Sequence, residues 1–104
     1  MPQATANQIK VWKAKHKDVY EVEVPLKEGG EEMAYGYFKK PDLDIIGLTT
    51  KYAENSPVKA GEVMLDNCWI GGDKIIKEDS EMKLGAMTQL KGIFKSRVAK
   101  LKKL

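Results

Sequence analysis

At 104 residues, 42% hydrophobic and 32% charged, the chain has the composition of one soluble globular domain (1–104) with a single core. A net charge of +3 is too small to demand a polyanionic partner. One cysteine and one histidine exclude an internal disulfide and a three- or four-ligand His/Cys metal site within one chain. No apolar run approaches the roughly 20 residues of a membrane span, and the opening MPQATANQIK lacks the apolar centre of a signal peptide, which predicts a cytoplasmic protein.

Residues 1–7 are small and polar and read as frayed. A short helix is expected over 5–16, with Ile9 and Trp12, and Gln8 beside them, on its inward face. From Val19 to Val24 the period becomes two: Tyr20, Val22 and Val24 share one face, Glu21 and Glu23 the other. Pro25 suits the end of an edge strand. A second alternating run, 32–39, follows the Gly29-Gly30 loop, with Tyr35 and Tyr37 opposite Ala34, Gly36 and Phe38. Together the two runs predict an antiparallel hairpin, which needs helices to pack on.

Pro41 is expected at a first helical turn, and Leu43, Ile46, Thr49, Tyr52 and Ala53 form a helical stripe widened by Ile45 and Leu48. Ser56-Pro57 then reads as a cap and first turn, and Gly71-Gly72 as the stop of a long central helix. Val58, Gly61, Met64, Leu65, Cys68 and Trp69 share one face of it. Gly61 costs about 1 kcal/mol relative to alanine in mid-helix, so close packing is expected there. After a connection over 74–79 where Ile75-Ile76 pack locally, Asp79 or Ser80 caps a last helix. Met82, Ala86, Leu90, Ile93, Phe94, Val98 and Leu101 carry that helix to the C-terminus. The fold class is α+β: a short antiparallel hairpin on a bundle of three to four helices, in the order α-β-β-α-α-α.

Enzymatic signatures are missing: there is no phosphate-binding glycine loop, no Gly-x-Gly-x-x-Gly and no nucleophile elbow. His16, among Lys13, Lys15 and Lys17, has no metal-ligand spacing and reads as a solvated surface histidine. Acidic pairs such as Asp42/Asp44 and Asp66/Asp73 are weak candidates for a divalent ion; Asp42 and Asp44 cannot face each other around a helix and read as first-turn residues. Cys68, late on an apolar helix face, reads as a small core hydrophobe, because that end of a helix disfavours a thiolate. Trp69 is a core anchor or a partner-facing residue. The run Lys91, Lys95, Arg97, Lys100, Lys102 and Lys103 has no acidic residue, so a small nucleic-acid-binding regulator is the alternative function. No aromatic is interleaved with these cations to stack bases, which makes nucleic acid the weaker partner.

The Lys39-Lys40-Pro41-Asp42 turn after a hairpin, the segment Asn67-Cys68-Trp69-Ile70-Gly71-Gly72-Asp73, the acidic cap and the Lys-rich last helix together resemble small proteins encoded in phage and prophage tail modules, the tail assembly chaperones. The resemblance runs from Trp12 to Leu104. It implies a non-enzymatic protein of the bacterial host cytoplasm, without cofactor or metal. Such a protein binds helical segments of the tape-measure protein, keeps them soluble and recruits tail-tube subunits. A holdase of this kind needs an apolar surface with adaptable side chains. The candidate partner-binding residues are therefore Met64, Trp69, Met82, Met87, Leu90 and Phe94, with the cations Lys95 and Arg97. Core packing is the commoner use of methionine at helical spacing. An exposed methionine stripe would also suit a homo-oligomer.

Overall fold

The computed structural model describes residues 3–93 and 99–104. The chain runs α1 (Ala6–His16), β1 (Val19–Pro25), β2 (Met33–Lys39), α2 (Leu43–Ala53), α3 (Pro57–Cys68), β3 (Trp69–Gly72), α4 (Ile75–Glu78) and α5 (Ser80–Leu90), then a 3-10 turn, Lys91–Ile93. The α+β class and the hairpin packed on helices are as the sequence predicts. The hairpin is, however, two-thirds of a three-stranded antiparallel sheet in the order β1-β2-β3.

Local chemistry explains most boundaries. Thr5 caps α1 in a reciprocal box: its hydroxyl accepts from the Gln8 N–H at 3.2 Å, and the Gln8 side chain accepts from the Thr5 N–H at 2.9 Å. Asp42, Ser56 and Asp79 each accept a backbone N–H three residues on, opening α2, α3 and α5. Pro57 holds the first position of α3. Pro41 lies one residue before the α2 cap, outside the helix and not in its first turn.

Strand β1 pairs with β2 in an unbroken register from Val19↔Lys39 to Pro25↔Met33, and its edge position tolerates Pro25. Alternation places Val22, Val24, Ala34 and Phe38 on the inner face, in one core with Leu65, Cys68, Ile76, Met82, Ala86 and Leu90. Helix α1 covers the outer face. Trp12 packs on Tyr37, ring centroids 5.0 Å apart, and lies over Gly71, where a Cβ would meet its ring. Tyr37 is therefore buried although its neighbours on that face are not. Its hydroxyl accepts from the Ala4 N–H and donates to Glu21 Oε2, both at 2.8 Å, and Gln3 Nε2 donates to Glu21 Oε1 at 3.1 Å. Gln3 and Ala4 thus bond to the sheet, and Thr5 caps α1.

The central helix is shorter than its sequence suggests. It ends at Cys68, and Trp69 takes extended angles (φ −61°, ψ 125°). What reads as a helix exit with a double-glycine stop is the third strand. Gly72 pairs with Gly36, Gly71 with Tyr37 and Trp69 with Phe38, across an irregularity between Tyr37 and Phe38. Asp73 extends this pairing: its N–H donates to the Tyr35 carbonyl at 2.8 Å, and its Oδ2 accepts from the Tyr35 N–H at 2.9 Å. The last helix is also shorter, ending at Leu90. Residues 99–104 have no regular structure and Leu101 is fully exposed, so the basic run is not one continuous helix to the terminus.

Between α1 and β1 the chain turns at Lys17 with φ 68° and ψ −67°, and the Asp18 N–H donates to the His16 carbonyl at 2.8 Å. This is a γ-turn, a strained conformation for an L-residue at about 1–3 kcal/mol. Lys17→Gly should relieve that strain, partly offset by about 0.5–1 kcal/mol for a freer unfolded chain. A net gain of about 1 kcal/mol is expected, read as a higher melting temperature.

Two buried acids set the alkaline behaviour. Burial pushes the Tyr37 hydroxyl from 10.0 up to about 12, with the Glu21 carboxylate adding to the rise and the Ala4 N–H opposing it. Burial likewise pushes the Cys68 thiol from 9.0 up to about 11. Both groups hold their proton more tightly folded than unfolded, so their contribution is complete below about pH 9 and is lost as pH rises from 9 through 12. Denaturant midpoints should fall across this window, and Tyr37→Phe should flatten its upper half.

Candidate functional site

Helices α2, α3 and the end of α5 enclose an open cleft of about 340 Å³. Its floor is Met64, Met87 and Leu90, all core residues, with Ala60 and Gly61 beside them. Gly61 behaves as its sequence position suggests: the Met87 methyl lies where a Cβ would stand, so α5 approaches α3 closely there. The α2 wall is Thr49, Thr50 and Ala53. Both threonine hydroxyls donate at 2.8 Å to carbonyls of their own helix, from Thr49 to Ile45 and from Thr50 to Ile46. Among the lining residues, Lys91 alone carries a charge.

The predicted partner-binding residues divide. Met64, Met87 and Leu90 line this cleft but are buried, offering edges and not whole side chains. Met82 is buried in the core under the sheet, away from this cleft, and borders a separate shallow pocket with Val24, Leu26 and Gly85. Trp69 is half-buried and also away from the cleft. Its ring meets Phe38 edge-on at a centroid distance of 5.4 Å, and the Lys77 ammonium lies 5.3 Å from its centroid. Phe94, Lys95 and Arg97, with Val98, lie outside the described residues. Sequence reasoning missed Thr50, Ala60 and Gly61 as cleft residues; the signal for them is the run of small side chains at three- and four-residue spacing through two successive helices.

The stripe expected on α2 is mostly not inward. Ile45 is its one buried residue, whereas Leu43, Leu48 and Tyr52 are exposed. The helix packs on α3, and these apolar side chains remain on its surface.

The acidic pairs do not converge. Asp42 caps α2, Asp73 is bonded to β2, and Asp66 lies 3.8 Å from Lys77 on the surface. No group of three or more His, Cys, Asp or Glu side chains able to hold a metal ion occurs among the described residues. Cys68 is fully buried, its thiol donating to the Met64 sulfur at 3.6 Å, as a core residue does. His16 closes α1, half-buried. No helix among the described residues is long and apolar enough to cross a membrane.

No protein-family model and no curated protein matches the chain. Its fold is similar to that of RBSTP2171 from Bacillus stearothermophilus, itself described as uncharacterised. The two are 22% identical, with a TM-score of 0.62, over 90% of this chain and 99% of that one. At that identity the likeness is one of fold.

Proposed function

We propose that the protein is a non-catalytic binder of amphipathic helices, acting as a phage or prophage tail assembly chaperone that holds helical segments of the tape-measure protein. The observation that carries this reading is the apolar cleft between α2, α3 and α5. Its floor includes two methionines, whose unbranched side chains adapt to varied partners, and its walls are small residues that admit a helix ridge. The segment Asn67–Asp73 that carries the tail-chaperone resemblance forms the end of α3 and β3, which fix the Met64 side of the cleft to the sheet. Under this reading, work on the partner is reversible capture, with no bond made or broken.

Co-expression with the tape-measure protein of the same tail module tests the proposal. Raised solubility and co-purification are expected with the native chain. Ala53→Trp, an exposed change that fills the cleft from the α2 side, should abolish both while leaving the melting temperature nearly unchanged. Unaltered capture by that variant would refute the cleft as the binding site.

A further inference from the structure

We infer that a second copy of this chain covers the cleft, in a symmetric antiparallel pairing of α2 with α2. Along the side of α2 that borders the cleft, exposed Leu43, half-buried Ile46 and exposed Thr50 and Ala53 follow each other at intervals of three, four and three residues, the spacing of a helix-pairing seam. Leu43 is 83% exposed at one end of the seam, and Thr50 and Ala53 border the cleft at the other. The seam is about 15 Å long at 1.5 Å per residue. Its spacing reads the same in both directions, so an antiparallel copy sets Leu43 against Ala53 and Ile46 against Thr50 in every layer. This is the self-complementarity that a two-fold interface requires.

Two features make a second copy the fitting occupant. The first is shape: each molecule offers one protruding leucine and one apolar cleft, at opposite ends of the same seam. Antiparallel pairing seats Leu43 of each copy at the cleft of the other. The second is charge. Asp42, exposed, lies in the helical row of Thr49 and Ala53 that borders the cleft, but at the far end of the helix. Its capping bond engages one carboxylate oxygen, Oδ1. Lys91 is the charged residue lining the cleft, and its ammonium has no carboxylate partner among the described residues. Reversal of one α2 on the other brings Asp42 of each copy to the Lys91 side of its mate, two opposite-charge encounters per dimer.

The dimer does not depend on the tail-chaperone reading, but it bears on it: a captured helix would have to displace Leu43 from the cleft. Leu43→Ser should therefore give a monomer that binds a partner helix more tightly.

Sedimentation from micromolar to millimolar protein should show a reversible monomer–dimer equilibrium, lost in Leu43→Ser with the fold intact. Lys91→Glu should weaken the dimer roughly tenfold, from two charge encounters reversed. Adding Asp42→Asn, which keeps a capping oxygen but removes the charge, should recover part of that loss. Mixing Leu43→Cys with Ala53→Cys should give a disulfide-linked pair on oxidation, whereas neither variant alone should link to itself. The buried Cys68 takes no part. A chain that stays monomeric at millimolar concentration overturns the proposal. So does a dimer indifferent to Leu43→Ser, or a Leu43→Cys variant that cross-links to itself. Failure of a model amphipathic peptide to bind the Leu43→Ser monomer would instead sink the helix-capture reading and leave the dimer standing.

Discussion

Gly72→Ala is expected to cost about 3 kcal/mol or more and to lower the melting temperature by on the order of 15 °C. Gly72 has φ +124°, a backbone conformation that L-residues rarely adopt, and a Cβ there would overlap the Tyr35 carbonyl oxygen and the Gly36 Cα. Neither neighbour is a flexible side-chain tip; both are backbone of the central strand. The strand would have to move away, and with it the Gly36↔Gly72 pairing and the two bonds between Tyr35 and Asp73. Gly71→Ala should cost less, because the atoms it meets belong to the Trp12 side chain and not to backbone. Thermal or urea unfolding of the two variants side by side checks the order. Equal stabilities would mean that β3 is not held in this register.

Phe38→Ala is expected to cost about 3–5 kcal/mol, the range for emptying an aromatic site in a packed core. Phe38 is fully buried, sits in the middle strand and receives the Trp69 ring edge-on. Removing it takes away the apolar transfer term and leaves a void between the sheet and the helices that cannot readily collapse, since Gly36 beside it has no side chain to fill the space. Trp69 would lose its partner in the same step, an aromatic contact of about 0.5–1.5 kcal/mol. Phe38→Leu keeps most of the volume and should cost less than half as much. A domain of this size has about 5–15 kcal/mol in total, so the alanine variant should be partly unfolded at moderate temperature.

The hairpin and the starts of α3 and α5 are legible in the sequence because each rests on local chemistry, whereas the Thr5 cap of α1 is not predicted there and Asp42, read as a first-turn residue, is the cap of α2. Alternating Tyr20, Val22 and Val24 have one pleat, and Ser56 and Asp79 each find an N–H three residues on. The third strand is not legible, because Gly71-Gly72 after an apolar helix is what a helix stop also looks like. The decision is made by residues more than thirty positions away: the open edge of β2 needs a partner, and only glycine admits Trp12 and the Tyr35 carbonyl so closely. The stripe on α2 misleads for a related reason. Spacing shows that Leu43, Ile46 and Tyr52 belong to a helix, but which of its faces the core takes depends on α3, and the core takes Ile45.

The candidate site is legible only in part. Met64, Met87 and Leu90 are recognisable as apolar helix positions, yet their burial makes them the floor of a cleft whose walls are the small residues Thr50, Ala53 and Gly61. A small residue leaves no hydropathy signal when what matters is the space above it. Trp69, the most conspicuous candidate, instead covers Phe38 at the end of the sheet.

The most direct test is a backbone amide NMR titration of the Leu43→Ser chain with a helical peptide from the tape-measure protein. Capture in the cleft predicts shifts concentrated at Thr50, Ala53, Ala60, Gly61 and Met87, with the β1–β2 hairpin silent. Shifts confined to Lys100–Leu104, or no shifts at saturating peptide, would contradict it.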